Sequence, residues 1–119
     1  MSEVRAENLK EEGNESLRRG NYNKAISLYT RAIELDCYNP KLYSNRCTAY
    51  LYLHEFESAL QDAKKCVSLD PDWGKGHVQM GSCYSSLHQY KEAIEEYKKG
   101  RIHSASSYDK PFLSLTILL

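Results

Sequence analysis

The sequence predicts an all-α fold built from three consecutive helix–turn–helix repeats. A spacing of 34 residues recurs without insertion, as the steps from 13 to 47 to 81 and from 25 to 59 to 93 show. Small residues occupy the positions that this spacing joins: Gly13, Cys47 and Gly81, and then Ala25, Ala59 and Ala93. Such a period is typical of repeat proteins, in which each helical pair buries its apolar face against the next pair.

The first repeat, residues 6–39, is expected to contain helices over residues 6–19 and 22–35. Gly20 ends the first helix, because glycine tolerates the left-handed conformation that closes many helices. Asn21 precedes the second helix and is a residue type that caps helix N-termini through its side chain. The pattern therefore indicates two helices joined by a tight turn.

The second repeat, residues 40–73, begins with a cap at Asn39 and a proline at the first helical position, which is a favoured pairing. Its helices are expected over residues 40–53 and 56–69. The third repeat, residues 74–107, follows an Asp-Pro-Asp turn, and its helices are expected over residues 73–87 and 90–104.

The tail, residues 108–119, departs from the repeat pattern. It carries no charge after Lys110, whereas repeat arrays usually end in a capping unit with a polar outer face. The apolar run from Phe112 is too short to span a bilayer, which takes about 20 residues. We expect the tail to fold back on the edge of the third repeat. A truncated or alternative terminus and a self-association segment are the other interpretations.

Aromatic side chains recur on the helices at repeat positions that face neighbouring helices. The helical period places them on packed stripes, which favours core positions over a platform for stacking nucleobases. These predicted core aromatics are Tyr22, Tyr29, Tyr43, Tyr50, Phe56, Tyr84, Tyr90 and Tyr97.

Charge and composition narrow the function classes. Sixteen basic and sixteen acidic residues balance, which argues against a general nucleic-acid binder. No run approaches the length of a membrane span, and the N-terminus lacks the pattern of a signal peptide. Cys47 and Cys66 occupy small-residue positions and are interpreted as reduced core residues. A cytoplasmic protein is the expectation.

No enzyme is predicted from these residues. The four histidines and four cysteines show no metal-ligand spacing, and we identify no cofactor site and no Ser–His–Asp arrangement. His54 and His88 occupy equivalent turn positions and are expected to be exposed. Acidic residues are expected mainly on outward faces, where charge is solvated.

Five polar side chains form a candidate ligand groove. In stacked repeats of this type the first helices line a concave face, and side chains four residues apart share one face of a helix. Lys10 and Asn14 lie four apart, Asn45 follows on the next first helix, and Lys75 and Gln79 again lie four apart. Two cations and three amides thus project into one groove.

Three strings around these residues resemble a known family. They are Lys10-Glu11-Glu12-Gly13-Asn14, Leu42-Tyr43-Ser44-Asn45-Arg46 and Asp72-Trp73-Gly74-Lys75-Gly76. They are similar to the carboxylate-clamp tetratricopeptide repeat (TPR) domains of heat-shock co-chaperones, above all to the heat-shock organising family, over about residues 5–105. The resemblance implies a right-handed superhelix. It also implies a non-enzymatic adaptor that grips the C-terminal Glu-Glu-Val-Asp of cytosolic seventy- or ninety-kilodalton chaperones, and it favours the seventy-kilodalton partner.

The resemblance also implies residue roles. Lys10 and Lys75 would pair with the two carboxylates at the end of the bound peptide, and Asn14 and Asn45 would hydrogen-bond its last residue. Gln79 stands where the family usually has arginine, and glutamine carries no charge and cannot offer arginine's planar fork. Weaker binding, or a different preference upstream of the terminal aspartate, is therefore expected.

Two other functions fit the sequence. The same groove could serve as a scaffold for an unrelated helix or peptide, for which insensitivity to Lys10→Ala and to salt would be diagnostic. Alternatively, the repeats could be the targeting domain of a larger protein whose catalytic segment lies elsewhere.

Overall fold

The computed structural model describes residues 1–104, which form six α-helices and no strand. The helices are α1 (Ser2–Arg18), α2 (Tyr22–Leu35), α3 (Pro40–Tyr52), α4 (Phe56–Leu69), α5 (Gly74–Ser86) and α6 (Tyr90–Ser104). The all-α prediction is confirmed, and α2, α4 and α6 span the predicted residues. The predicted tail and the end of the third predicted repeat lie outside the described residues.

α1 begins earlier than the sequence pattern predicts. It starts at Ser2 rather than residue 6, because the intervening residues include no proline or glycine to stop it. Glu3 lies in the first turn, where a negative charge is favourable beside the N-terminal end of the helix dipole.

The helices stack in chain order into a right-handed superhelix. Each helix packs against its neighbours along the chain, and α3 also contacts both α1 and α5. The first helices of the three pairs, α1, α3 and α5, therefore lie side by side. We call the surface that they form the groove.

Matched side-chain sizes let the two helices of each pair approach closely. A Cβ atom on Gly13 would lie 2.6 Å from Cε1 of Tyr29, and one on Gly81 would lie 2.8 Å from the ring of Tyr97. The second pair has the buried Cys47 and Ala63 at the equivalent positions, so a larger first residue faces a smaller second one. Close packing of this kind leaves little tolerance for added volume.

The turns within the pairs share one conformation. Gly20, His54 and His88 have positive φ angles of 81°, 59° and 63°. Both histidines are exposed, as predicted. Residues other than glycine are uncommon in this backbone region, so the repeat geometry imposes it on the two histidines.

The two asparagine caps behave differently. Oδ1 of Asn39 accepts a hydrogen bond from the Lys41 N–H at 3.1 Å, which confirms the predicted cap of α3. Asn21 occupies the capping position of α2, but its side chain makes no capping bond. Its backbone N–H donates to the Ser16 carbonyl at 2.8 Å, so the turn is closed by main-chain bonds.

The core prediction for the aromatics is wrong at two positions. Tyr90 and Tyr97 are 56% and 40% exposed. In contrast, Tyr29, which is the equivalent of Tyr97 in the first pair, is completely buried. Tyr29 packs in a cluster with Ala25 and with Ala49 of α3. In the described part of the chain α6 is the last helix, so nothing there covers the face that carries Tyr90 and Tyr97.

The cysteines are free thiols, and the two predicted core cysteines are buried. Burial raises the pKa of the Cys66 thiol to about 11. Sγ of Cys47 lies 3.8 Å from Sγ of Cys83, which is also buried. Within residues 1–104 no group of three potential metal ligands occurs and no helix is long and apolar enough to cross a membrane.

Candidate functional site

Two of the predicted ligand residues meet directly across the groove. Nδ2 of Asn45, on α3, donates a hydrogen bond to Oδ1 of Asn14, on α1, at 3.1 Å. Both side chains are partly exposed. Oδ1 of Asn14 accepts this bond. The side-chain N–H groups of Asn14 therefore remain available to donate to a ligand. We call this contact between α1 and α3 the first junction.

A buried tyrosine supports the first junction from below. The Tyr29 hydroxyl donates to the same Oδ1 of Asn14 at 2.6 Å. Burial raises the pKa of Tyr29 to about 12, so the phenol stays neutral and remains a donor. Two donors therefore fix the orientation of the Asn14 carboxamide. Gly13 makes the room in which the Tyr29 ring lies.

Lys10 lies one turn before Asn14 on the same face of α1. Its side chain is only 15% exposed, and Nζ lies 3.0 Å from Oε1 of Glu7. Glu7 is more than half exposed, and exposed ion pairs of this spacing stabilise a helix by only about 0.2–1 kcal/mol. A carboxylate ligand can therefore displace Glu7 from Lys10 at small cost.

The side chain of Gln79 is enclosed by the protein and is not accessible from the groove. Its side chain is buried, and it accepts a hydrogen bond from the Ser44 hydroxyl at 2.6 Å. Nε2 donates to the Ser44 carbonyl at 3.0 Å and to Oγ1 of Thr48 at 2.8 Å. The Gln79 amide thus braces α5 against α3. We call this contact the second junction.

Lys75 lies in the first turn of α5, one turn before Gln79. It is exposed, and Nζ lies 5.9 Å from the centroid of the Trp73 ring. At that distance the cation is attracted to the face of the indole, an interaction worth about 0.5–1 kcal/mol at exposed sites. The ring limits where the ammonium group can lie without removing it from solvent.

Arg46, which follows Asn45, has a structural role. It makes a two-pronged ion pair with Asp62 of α4, at 2.8 Å and 2.7 Å, and its Nη1 donates to Thr30 at 3.1 Å. The hydrogen bonds that Arg46 donates to Asp62 raise the pKa of Arg46, while burial raises the pKa of Asp62. The pair locks α2, α3 and α4 together, and it shows that not every acidic residue faces outward.

A shallow pocket lies at the C-terminal end of α3 and shares Thr48 with the second junction. Its lining residues are Thr48, Leu51, Tyr52 and His54. Asn45, Thr48 and Tyr52 are separated by three and four residues, so they follow one face of α3. Tyr52 also stacks on Tyr22 with ring centroids 4.8 Å apart. An apolar side chain could rest here, one to two turns from Asn45.

The supporting residues were missed by reasoning from sequence. The sequence pattern predicts only a packing role for Tyr29 and no role for the side chains of Ser44 and Thr48. The repeat register contains the signal, because Thr48 is the 34-residue equivalent of Asn14, and Gln79 is that of Asn45. The two junctions are thus the same inter-repeat contact made with different residues.

Comparison with known proteins agrees with the repeat architecture. Residues 12–36, 40–72 and 75–100 match the family described as tetratricopeptide repeat. The chain is 40% identical over 103 residues to Heat shock protein STI1 of Saccharomyces cerevisiae, which covers 86% of this chain and 18% of that protein. The chain spans between 17% and 28% of the length of eight curated relatives that it matches.

Two similar solved structures contain bound peptides. The first TPR of Spaghetti (RPAP3) bound to HSP90 peptide SRMEEVD has a TM-score of 0.83 and 28% identity, covering 98% of this chain and 96% of that one. The second TPR domain of human RPAP3, in complex with HSP70 peptide SGPTIEEVD, has a TM-score of 0.83 and 29% identity, covering 87% and 86%.

The predicted likeness to the repeat domains of heat-shock co-chaperones is therefore confirmed by the relatives themselves. Three repeat matches cover more than half of the chain, and the six helices stack as those of the similar structures do. The chain belongs to the tetratricopeptide repeat family.

Proposed function

We propose that this chain is a non-enzymatic co-chaperone or adaptor domain that binds the acidic C-terminal Glu-Glu-Val-Asp of seventy- or ninety-kilodalton heat-shock chaperones. The ligand would be held by a carboxylate clamp, a set of cations and amides that surrounds the two carboxylates at the end of the peptide. The seventy-kilodalton chaperones are the favoured partner, on family resemblance.

One observation carries the proposal. The carboxamides of Asn14 and Asn45 touch at 3.1 Å in the first junction, and Tyr29 fixes the first of them from below. Lys10 lies one turn away on α1. Donors whose positions are set before the ligand arrives lose little entropy on binding, which is the general source of affinity from preorganisation.

The chemistry of the ligand fits these groups. A peptide that ends in aspartate presents its main-chain carboxylate and its side-chain carboxylate close together. Lys10 and Lys75 supply charge, and Asn14 and Asn45 supply neutral donors. Hydrogen bonds between ionised partners are roughly twice as strong as neutral ones, so the two lysines would provide most of the affinity.

Gln79 completes the set in a different way. Since its amide is bonded to Ser44 and Thr48, we propose that it supports the wall of the clamp and offers the ligand little directly. The pocket lined by Thr48, Leu51, Tyr52 and His54 would take an apolar side chain upstream of the terminal aspartate.

A titration with a fluorescent peptide ending in Ile-Glu-Glu-Val-Asp tests the proposal, beside the same peptide with an amidated C-terminus. We expect micromolar binding that is lost on amidation and that weakens with salt. The Lys10→Ala variant should lose binding, whereas Lys65→Ala, at an exposed position of α4, should keep it. Equal binding of the two peptides, or no binding of either, would refute the clamp.

A second candidate is a scaffold that binds an unrelated helix or peptide in the same groove. The burial of Gln79 favours it, because the second junction adds no charge to the groove. Binding by a scaffold would be insensitive to amidation of the ligand and to Lys10→Ala. The same titration, made with a ligand recovered by pulldown, separates the two functions.

A further inference from the structure

In the second and third helical pairs, different residues make the same contact between the first helix of the pair and the loop before it. We call this contact the anchor. In the second pair, the Tyr43 hydroxyl donates to the carbonyl oxygen of Cys37 at 2.9 Å, which ties α3 to the loop before it. The 34-residue equivalents are His77 and Pro71, and Nε2 of His77 lies 2.6 Å from the Pro71 carbonyl oxygen. A phenol that stays neutral near pH 7 is thus replaced by an imidazole.

The buried carboxylate side chain of the third pair has a different partner from that of the second pair. Asp62 in α4 is paired with Arg46. Its equivalent in α6 is Glu96, but the equivalent of Arg46 is Met80, which cannot pair with a carboxylate. Nδ1 of His77 lies 2.9 Å from Oε1 of Glu96 instead, and both side chains are less than 10% exposed.

Both ring nitrogens of His77 therefore face acceptors. A carbonyl oxygen cannot donate, and Glu96 also accepts from Lys99 at 3.1 Å. Burial alone would raise the pKa of Glu96, but the hydrogen bonds from His77 and Lys99 outweigh it and lower that pKa, so Glu96 is a carboxylate. A neutral imidazole has one N–H and would satisfy only one acceptor. Both contacts can be hydrogen bonds at the same time only if the ring is doubly protonated.

This anchor matters for the start of α5. Trp73 occupies its capping position without a side-chain capping bond, whereas α3 has the Asn39 cap. Gly74 packs so tightly on the C-terminal turn of α6 that an added Cβ would lie 2.6 Å from the Ser104 nitrogen. Lys75 is the next residue. Its position therefore depends on how the loop before α5 is held to α6.

Several charged groups surround His77. α6 contributes Glu96, Lys99 and His103, whose ring stacks on His77 with centroids 5.4 Å apart. From the loop, Oδ1 of Asp72 lies 3.9 Å from Nδ1 of His103. His103 is more exposed than His77, and it is the other histidine of this cluster.

We propose that His77 is a proton-dependent positioning residue, whose doubly protonated ring ties the loop at Pro71 to Glu96 of α6 and thereby orients Lys75 for the peptide. The consequence for binding rests on the proposed clamp, while the anchor itself does not. Histidine is the side chain whose ordinary charge change falls between pH 5 and 8. As pH rises and the ring loses a proton, one of its two contacts is lost, so loop order and peptide affinity should both fall.

The single tryptophan, Trp73, reports the anchor without any ligand. Between pH 5.5 and 8.5 we expect its emission to shift to longer wavelength as the loop loosens, and the affinity for the Ile-Glu-Glu-Val-Asp peptide to fall about two- to tenfold, the value of one hydrogen bond. His77→Gln, which cannot titrate, should abolish both pH dependences. His103→Gln is the matched control and should retain both.

The outcomes separate the anchor from the clamp. A flat Trp73 profile in the wild type, or a pH dependence that survives His77→Gln, overturns the anchor. A Trp73 transition without peptide binding at any pH refutes the clamp and leaves the anchor standing. If His77→Gln does not fold, nitrogen-15 spectra of the wild-type ring decide, because the anchor predicts two protected N–H groups on His77 near pH 6.

Discussion

The two junctions of the groove lie at equivalent positions of the 34-residue repeat, but their side chains differ in exposure. At the first, Asn14 and Asn45 bond to each other and stay partly exposed. At the second, Thr48 and Gln79 bond in the same way, but Gln79 is buried. The contact that holds successive repeats together is thus kept at both places, and only the first leaves donors for a ligand.

The difference comes from the residue one turn earlier on each helix. At the first junction that residue is Lys10, whose ammonium group lies beside Glu7 and leaves the amides open. At the second it is Ser44, which is small and fully buried, and its hydroxyl and carbonyl both bond Gln79. A single repeat position therefore decides whether the amides of a junction stay partly exposed or are enclosed.

The largest expected effect follows from removing the charges that flank the groove. The double variant Lys10→Ala, Lys75→Ala should weaken peptide binding by more than about a hundredfold, because each charged hydrogen bond is worth about 1.5–3 kcal/mol. The thermal unfolding midpoint should fall only slightly, because Lys10→Ala removes one ion pair with a solvent-exposed partner and the packing of one aliphatic stem. Fluorescence anisotropy and a melting curve measure the two quantities. Wild-type affinity in the double variant would exclude these lysines from the site.

Asn14→Ala and Thr48→Ala compare the junctions at one repeat position. Asn14→Ala should reduce affinity about ten- to a hundredfold and destabilise the fold by about 1–3 kcal/mol, because the buried Tyr29 hydroxyl loses its acceptor. Thr48→Ala should change affinity by less than about threefold. Calorimetric titration and urea unfolding provide the numbers. Similar affinity losses in both variants would mean that the second junction also contacts the ligand.

Gln79→Arg tests whether the second junction can be opened. The added charge should raise affinity about tenfold if arginine reaches the ligand, since a planar cation suits a carboxylate better than a neutral amide does. The affinity is measured with the same fluorescent peptide at low and high salt, and the gain should shrink at high salt. Unchanged affinity would show that position 79 does not face the bound peptide.

Gln79→Met tests whether Gln79 stabilises the contact between α3 and α5 or contacts the peptide. Of the four substitution tests, it should change peptide affinity least. Methionine has a similar length but makes none of the three hydrogen bonds to Ser44 and Thr48. We expect a loss of about 1–3 kcal/mol in the free energy of unfolding, because buried polar partners are left unsatisfied. Peptide affinity should stay within about threefold. A larger loss of affinity at unchanged stability would make Gln79 a ligand contact.

Sequence periodicity was sufficient for the order of the helices and for the expectation that Asn14 and Asn45 lie close together. The 34-residue register predicted each helix within residues 1–104, apart from the early start of α1, and it predicted the turn at Gly20, because backbone pattern and helical spacing are local properties. It failed for Tyr97, because burial in a repeat protein depends on the neighbouring unit. It also could not show that Gln79 is enclosed, since that depends on the size of Ser44 on another helix.

A double-mutant cycle between Lys10→Ala and amidation of the peptide C-terminus tests the central claim most directly. If Lys10 grips a terminal carboxylate, amidation should weaken binding strongly in the wild type and much less in the variant, with a coupling energy above about 1 kcal/mol. Additive losses, with no coupling, would contradict a clamp at the first junction.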